Sequence, residues 1–185
     1  MSKEDEQARF IRLASLIQVT PAQLARHAVR PLAPPADRLP DGWVVPSACR
    51  DVLSITDGLD LFSADPSHVF RLWGAHDYDV CARYGGPIFA QAGQDGLFPF
   101  YGDIPHLASV SIADGCVVAT DWEVYGQAEH GWRAVIAADL SEYLRTVILV
   151  REAYGDEEDC PSDWWGPTPS RENATIGNDQ RLDSR

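Results

Sequence analysis

Apolar and polar residues follow two rhythms along this chain, and the change of rhythm predicts its organisation. Between Glu4 and Gln18, Phe10, Leu13, Ala14 and Ile17 recur at steps of three and four, with Arg9, Arg12 and acidic residues elsewhere. That spacing predicts an amphipathic helix. Thr20-Pro21-Ala22-Gln23 follows: threonine can cap, proline suits the first helical position, and glutamine can reach back to the cap. A short helix is expected to about Val29. Pro31, Pro34, Pro35 and Pro40 then predict a linker-like connection. Pro46 to Ile55 reads as a further helix, opened by proline and closed at Asp57-Gly58, where glycine can take positive φ.

Beyond Gly58 the period shortens. Leu61-Phe62, His68 to Trp73, Pro87 to Gln91, Leu97 to Tyr101, Ser109 to Ile112, Cys116 to Thr120 and Trp132 to Ile136 read as strands. Ala92 to Gly96 gives a hairpin signal between two of them, and Ala113-Asp114-Gly115 gives another. Asp77 to Gly86 reads as a polar loop between strands. Short connections favour antiparallel neighbours. In Leu97-Phe98-Pro99-Phe100-Tyr101, alternation puts Phe98 and Phe100 on one face and Leu97 and Tyr101 on the other. The last strand runs almost directly into Asp139-Leu140-Ser141-Glu142, a capping pattern. Leu140, Tyr143, Leu144, Val147, Ile148 and Arg151 then follow helical spacing. The expected fold is α+β: a single antiparallel-rich sheet of about five to six strands packed against N- and C-terminal helices. Residues 1–38 read as a helical extension with a Pro-rich connection, 39–154 as the main domain, and 155–185 as an acidic, flexible tail. Trp164-Trp165 in that tail is expected to dock back on the domain, because large apolar groups are unfavourable in water.

Composition narrows the role. The net charge is −13 over 185 residues, with pI about 4.6, which opposes approach to phosphate backbones and favours a basic partner. No apolar run reaches the roughly 18 residues that a membrane span needs. The acidic start Met-Ser-Lys-Glu-Asp-Glu lacks the basic and apolar regions of a signal peptide, so the expected location is the cytoplasm. Cys49, Cys81, Cys116 and Cys160 are far apart, contain no C-x-x-C pair and are expected as free thiols.

Several of these segments together resemble the Smi1/Knr4 (SUKH) superfamily. Leu39-Pro40 precedes a helix ending in Thr56-Asp57-Gly58-Leu59, similar to the family's helix closing on a polar-Gly step. Val69-Phe70-Arg71-Leu72 stands in the place of the strand that follows. Pro87-Ile88-Phe89-Ala90 through Asp95-Gly96-Leu97-Phe98 resembles the family's central hairpin, and Ala137 to Leu144 its closing helix. The resemblance spans Leu39 to Tyr154. It departs at Gln91 to Gln94, where the family usually carries Gly or Gly-Asp, and in the long Asp77 to Gly86 segment. It implies a binding protein without catalysis or cofactor. Bacterial members commonly neutralise a cognate toxin, often a nuclease or deaminase, while fungal members act as regulatory adaptors.

Candidate chemistry is sparse. No G-x-S-x-G elbow, P-loop or dinucleotide fingerprint occurs. His76-Asp77-Tyr78-Asp79 with Cys81 contains legitimate zinc ligands, but a solvated loop explains them more simply. Asp121, Glu123 and His130 form a second acidic group that could support acid–base work. A small metal-dependent enzyme using these groups and an intracellular adaptor are the alternatives to a toxin binder. Interfaces favour aromatic anchors with a polar rim. The expected contact surface is therefore Trp73, Asp77, Tyr78, Asp79, Asp95, Tyr101, Asp103, Asp121, Glu123 and Tyr125, on a monomer or homodimer that binds protein rather than nucleic acid or membrane.

Overall fold

The first two helices form where spacing and capping chemistry place them. In the computed structural model, which describes residues 3–29, 31–62, 70–84, 86–103, 106–121 and 133–154, α1 spans Lys3–Leu16 and α2 spans Pro21–His27. Phe10, Leu13, Ala14 and Ile17 are buried. The Thr20 hydroxyl accepts from Gln23 N at 3.2 Å, and Gln23 Oε1 accepts from Thr20 N at 3.0 Å. This reciprocal cap is worth about 1 kcal/mol.

The proline-rich segment is tied to the body by backbone bonds. Ala36 N donates to Leu53 O at 2.9 Å, and Asp57 N donates to Pro34 O at 2.7 Å. Buried Arg9 donates through Nη1 to Ala33 O at 2.5 Å and Ile55 O at 3.0 Å. Helix α3 (Ser47–Leu53) buries Cys49, Val52 and Leu53. Leu24 of α2, Leu32 of the connection and residues of α1 and α3 share one core with the C-terminal helix.

The fold is α+β, and its strands fall into two sheets among the described residues. β1 (Leu59–Leu61) pairs antiparallel with β2 (Phe70–Leu72). A four-stranded antiparallel sheet runs in the order β3 (Leu97–Asp103), β4 (His106–Ser111), β5 (Val117–Asp121) and β6 (Arg133–Ala137). Trp73 N, just past β2, donates to Phe100 O of β3 at 2.8 Å. Pro99 has no N–H to offer a ladder, and the register with β4 slips between Pro99 and Tyr101.

The same bulge corrects the expected faces of β3. One extra residue reverses alternation, and Phe98, Phe100 and Tyr101 all enter the main core. Leu97 lies in a second, smaller cluster with Ala92 and Val118. The C-terminal helix α6 (Leu140–Tyr154) closes the main core with Leu140, Tyr143, Leu144, Val147 and Ile148. Asp139 Oδ1 accepts from Glu142 N at 2.8 Å, as the capping pattern predicts, while Glu142 reaches back to Ala138 N at 2.7 Å.

Two segments differ from the sequence reading. Asp77 to Gly86 is not a loop, because α4 spans Ala75–Tyr84. Pro87 to Gln91 is not a strand, because α5 spans Gly86–Gln94. The Ala92 to Gly96 signal is therefore a helix stop, not a hairpin turn. Asp95 N donates to Gln91 O at 2.9 Å and Gly96 N to Gly93 O at 3.2 Å, and Gly96 takes φ +70 to release the chain into β3. Proline at the first turn and glycine beyond the last are the ordinary helix asymmetry. The predicted Asp114-Gly115 hairpin stands, with Gly115 at φ +79. The tail, including Trp164-Trp165, lies outside the described residues.

Candidate functional site

The N-terminus of α4 is built by two carboxylates from different parts of the chain. Asp57 Oδ1, just beyond α3, accepts from Ala75 N at 2.5 Å. Asp77 Oδ2, in the first turn of α4, accepts from Gly74 N at 2.8 Å. Negative groups at this helix end are favoured by the exposed N–H groups and the macrodipole. The crossing of the two segments is tight. A Cβ on Gly74 would lie 2.6 Å from Asp57 Oδ1 and 2.7 Å from Asp57 O, so only glycine fits. Gly58 beside it takes φ +88.

A third carboxylate stands close by on β1. Asp60 and Arg71 are cross-strand neighbours, joined by Nε to Oδ1 at 2.8 Å and Nη2 to Oδ2 at 3.0 Å. The Asp60 hydrogen bond, with a smaller contribution from Asp77, raises the Arg71 guanidinium above its already high value. A groove of about 330 Å³ lies beside these groups. Val29, Pro31 and Ala33 line one side. Asp57, Asp60, Asp77, Arg71 and exposed His76 line the other, over buried Leu32, Leu59 and Leu72. Among the described residues, the lining holds three carboxylates and one guanidinium. Its carboxylates can accept hydrogen bonds and hold positive charge, and among the described residues the lining includes no hydroxyl or thiol side chain.

The structure distributes the sequence-predicted contact residues widely. Tyr78 is only 2% exposed: it stacks on Phe98 at 4.8 Å and donates to Pro99 O at 2.6 Å. Tyr101 is 5% exposed and stacks on Phe70 at 4.4 Å. Both are core residues rather than surface anchors, Tyr78 because α4 is a helix that turns it inward and Tyr101 because of the β3 bulge. Trp73 is half-buried, edge-on to Tyr78 at 5.8 Å. Asp79 accepts a hydrogen bond from Arg38, which also reaches Asp41 at 3.2 Å. Asp95 is exposed and accepts from Gln91 Nε2 at 2.9 Å. Asp103 and Asp121 both pair in register with His106, which puts them at one end of the sheet, while Asp95 lies beyond the opposite end of β3. Glu123 and Tyr125 lie outside the described residues, as does His130.

Among the described residues predicted as contacts, Asp77 alone lines the groove, joined there by His76 of the first candidate cluster. Sequence reasoning missed Asp57 and Asp60 as site residues: Asp57 was absorbed into the Asp-Gly helix stop. Asp60 was legible in principle, as an acidic residue facing a basic one on the next strand. A second polar cluster joins α2 to α6. Glu152 accepts from Gln23 Nε2 at 3.1 Å and Arg26 Nη1 at 3.0 Å, and lies 3.5 Å from His27 Nε2. Burial holds the His27 imidazole below its ordinary value, against the opposing pull of Glu152. Among the described residues, no group of three His, Cys, Asp or Glu is placed to hold a metal ion, and no helix is long and apolar enough to cross a membrane.

Comparison with known proteins finds no matching protein family, curated protein or solved structure.

Proposed function

We propose that this chain is a non-catalytic protein-binding domain of the Smi1/Knr4 type, an immunity protein that neutralises a cognate basic toxin by direct contact in the cytoplasm. The observation that carries the reading is the gathering of Asp57, Asp60 and Asp77 on one concave surface of a chain with net charge −13. An acidic surface of this kind steers a basic partner during approach and disfavours nucleic acid. Nuclease and deaminase domains need positive clefts for their substrates, which makes them fitting partners.

The resemblance adds support in some segments and not in others. The β2 strand and the step from β6 into a capped α6 support it, whereas α3 ends at Leu53, short of Asp57-Gly58. The Pro87 to Gln91 segment departs from it, being helical. The non-catalytic part of the reading draws on the use of the carboxylates: Asp57 and Asp77 cap a helix and Asp60 holds Arg71. An adaptor role on the same fold is the competing reading, favoured if no toxin is encoded beside this chain.

The test is co-expression with the neighbouring gene product. Rescue of growth from a toxic neighbour, with a co-purifying complex that weakens in high salt, is the expected outcome. A toxic neighbour that is neither rescued nor bound overturns the proposal.

A further inference from the structure

We infer that the groove between α1 and the end of α3 is a docking site for an indole side chain, and that its occupant is the chain's own Trp164-Trp165 segment. The tail thereby acts as an intramolecular ligand. Neither the groove of Asp57, Asp60 and Asp77 nor a toxin partner enters into it.

The chemistry of the lining leads to it. Arg12, Ser15 and Leu16 come from α1, and Asp51, Ser54 and Ile55 from the last turn of α3 and just beyond, around a space of about 320 Å³. Ile55 is buried and Leu16 half-buried, so part of the lining is apolar. Arg12 and Asp51 are exposed, and among the described residues neither side chain makes a hydrogen bond or an ion pair, with the other or with any third group. An unpaired guanidinium and an unpaired carboxylate, carried by two elements beside apolar ground, complement an indole. The ring face meets the guanidinium, the Nε1–H donates to the carboxylate, and the ring body covers Leu16 and Ile55. A space at the small end of ligand clefts suits one such side chain. Ile11 is 48% exposed and stands one turn before Ser15 on the same helix face, which offers apolar ground to a neighbouring ring.

The chain carries two indoles within reach of this groove. Ser141 Oγ donates to Leu16 O at 2.8 Å, so α6 begins beside it. From Ser141 to Tyr154 the helix rises about 20 Å. The nine residues 155–163 can span about 30 Å, enough for Trp164 to return along α6. Charge favours that return. The connecting stretch holds Asp156, Glu157, Glu158, Asp159 and Asp163 and no basic residue. At the groove stands the unpaired Arg12, and near the end of α1 Arg145 of α6 donates to Gln18 Oε1 at 3.0 Å. Docking also removes the apolar rings of Trp164-Trp165 from water.

The test compares amide spectra of the full chain, ¹⁵N-labelled, with those of a Trp164→Ala, Trp165→Ala double variant. The Ser15, Leu16, Ser54 and Ile55 amides are expected to differ between the two, while those of Asp114 and Gly115 on the remote β4–β5 turn stay in place. Arg12→Gln in the otherwise intact chain should move the same groove amides toward their positions in the double variant. Acetylated and amidated Asp-Trp-Trp-Gly, added to the double variant, should restore the shifts saturably, and Asp-Ala-Ala-Gly should not. The full chain should bind the tryptophan peptide at least about tenfold more weakly, because its tethered segment competes at roughly millimolar effective concentration. Should the double variant lose the native amide spectrum, the single variants Trp164→Ala and Trp165→Ala replace it. Groove amides that are identical in the full chain and the folded variant overturn the inference. So does a tryptophan peptide that fails to bind the variant, or that binds variant and full chain equally. Shifts that grow with protein concentration, with a dimer in light scattering, overturn the intramolecular assignment and give the groove to the tail of a second copy.

Discussion

Replacing Gly74 with alanine tests the construction of the α4 N-terminus most directly. The new Cβ would stand 2.6 Å from Asp57 Oδ1, 2.7 Å from Asp57 O and 2.8 Å from Asp57 C. None of these atoms can yield cheaply. Asp57 N is tied to Pro34 O at 2.7 Å and its carboxylate to Ala75 N at 2.5 Å, so a shift that relieves the clash stretches both bonds. Overpacking of this kind costs about 1–3 kcal/mol. Weakening the Asp57 cap adds about 1 kcal/mol. The total, near 3 kcal/mol, lowers Tm by roughly 6–12 °C for a chain of this size. Urea and thermal denaturation followed by circular dichroism measure both quantities. Gly93→Ala is the control: among the described residues its Cβ would meet Trp43 at 3.6 Å, an ordinary contact, so stability should hold or rise slightly. A Gly74→Ala protein within about 0.5 kcal/mol of the parent would refute the argument, since that is the scatter of a neutral surface change. Gly58→Ala meets the same crossing, 3.1 Å from Gly74 N, with φ +88 against it. Its cost should therefore not add to that of Gly74→Ala, because the two share one set of atoms.

Three further outcomes are expected. Tyr78→Phe removes the donor to buried Pro99 O and should cost about 1–2 kcal/mol in urea unfolding; an unchanged midpoint would show that the bond contributes nothing net. Burial lowers the folded-state pKa of His27 below the ordinary 6.5, so the unfolded chain binds the proton more readily. That contribution to stability is fully present above pH 6.5 and is lost as pH falls toward the folded value. The unfolding midpoint should drop between pH 7.5 and 5.5, and His27→Gln should flatten the slope; an identical slope in the variant sinks the assignment. Burial pushes the Cys49 thiol up to about 12, so iodoacetamide at pH 8 should label half-exposed Cys116 in the folded protein and Cys49 only in denaturant. Peptide mapping that finds both labelled at similar rates in the native state would contradict the packing described for α3.

Local chemistry made much of this fold legible in advance. The α1 stripe, the Thr20–Gln23 capping box, the Asp114-Gly115 hairpin and the capped α6 all depend on residues within a few positions of one another. Helical spacing and cap geometry act at that range, so the amino-acid order alone determines them. Where the sequence misled, the local signals were themselves degenerate. Gly96 suits a hairpin turn and a helix C-terminus equally, because both need positive φ. Asp77 suits a solvated loop as well as the first turn of a helix.

Tertiary structure alone decided the rest. The bulge at Phe100 sends Tyr101 into the core, and α4 turns Tyr78 inward, so two aromatics expected at a partner surface are packing residues. The groove is likewise invisible in one dimension. Asp57 precedes β1 and Asp60 lies in it, whereas Asp77 follows β2, and they converge because Gly58 and Gly74 let two backbones cross at close range. The acidic composition of the chain was plain from the sequence. Which carboxylates share one surface depends on long-range pairing of β1 with β2 and on the capping of α4 by a residue 18 positions away. Neither leaves a periodic trace, because each is fixed by contact geometry rather than by the spacing of neighbours along the chain.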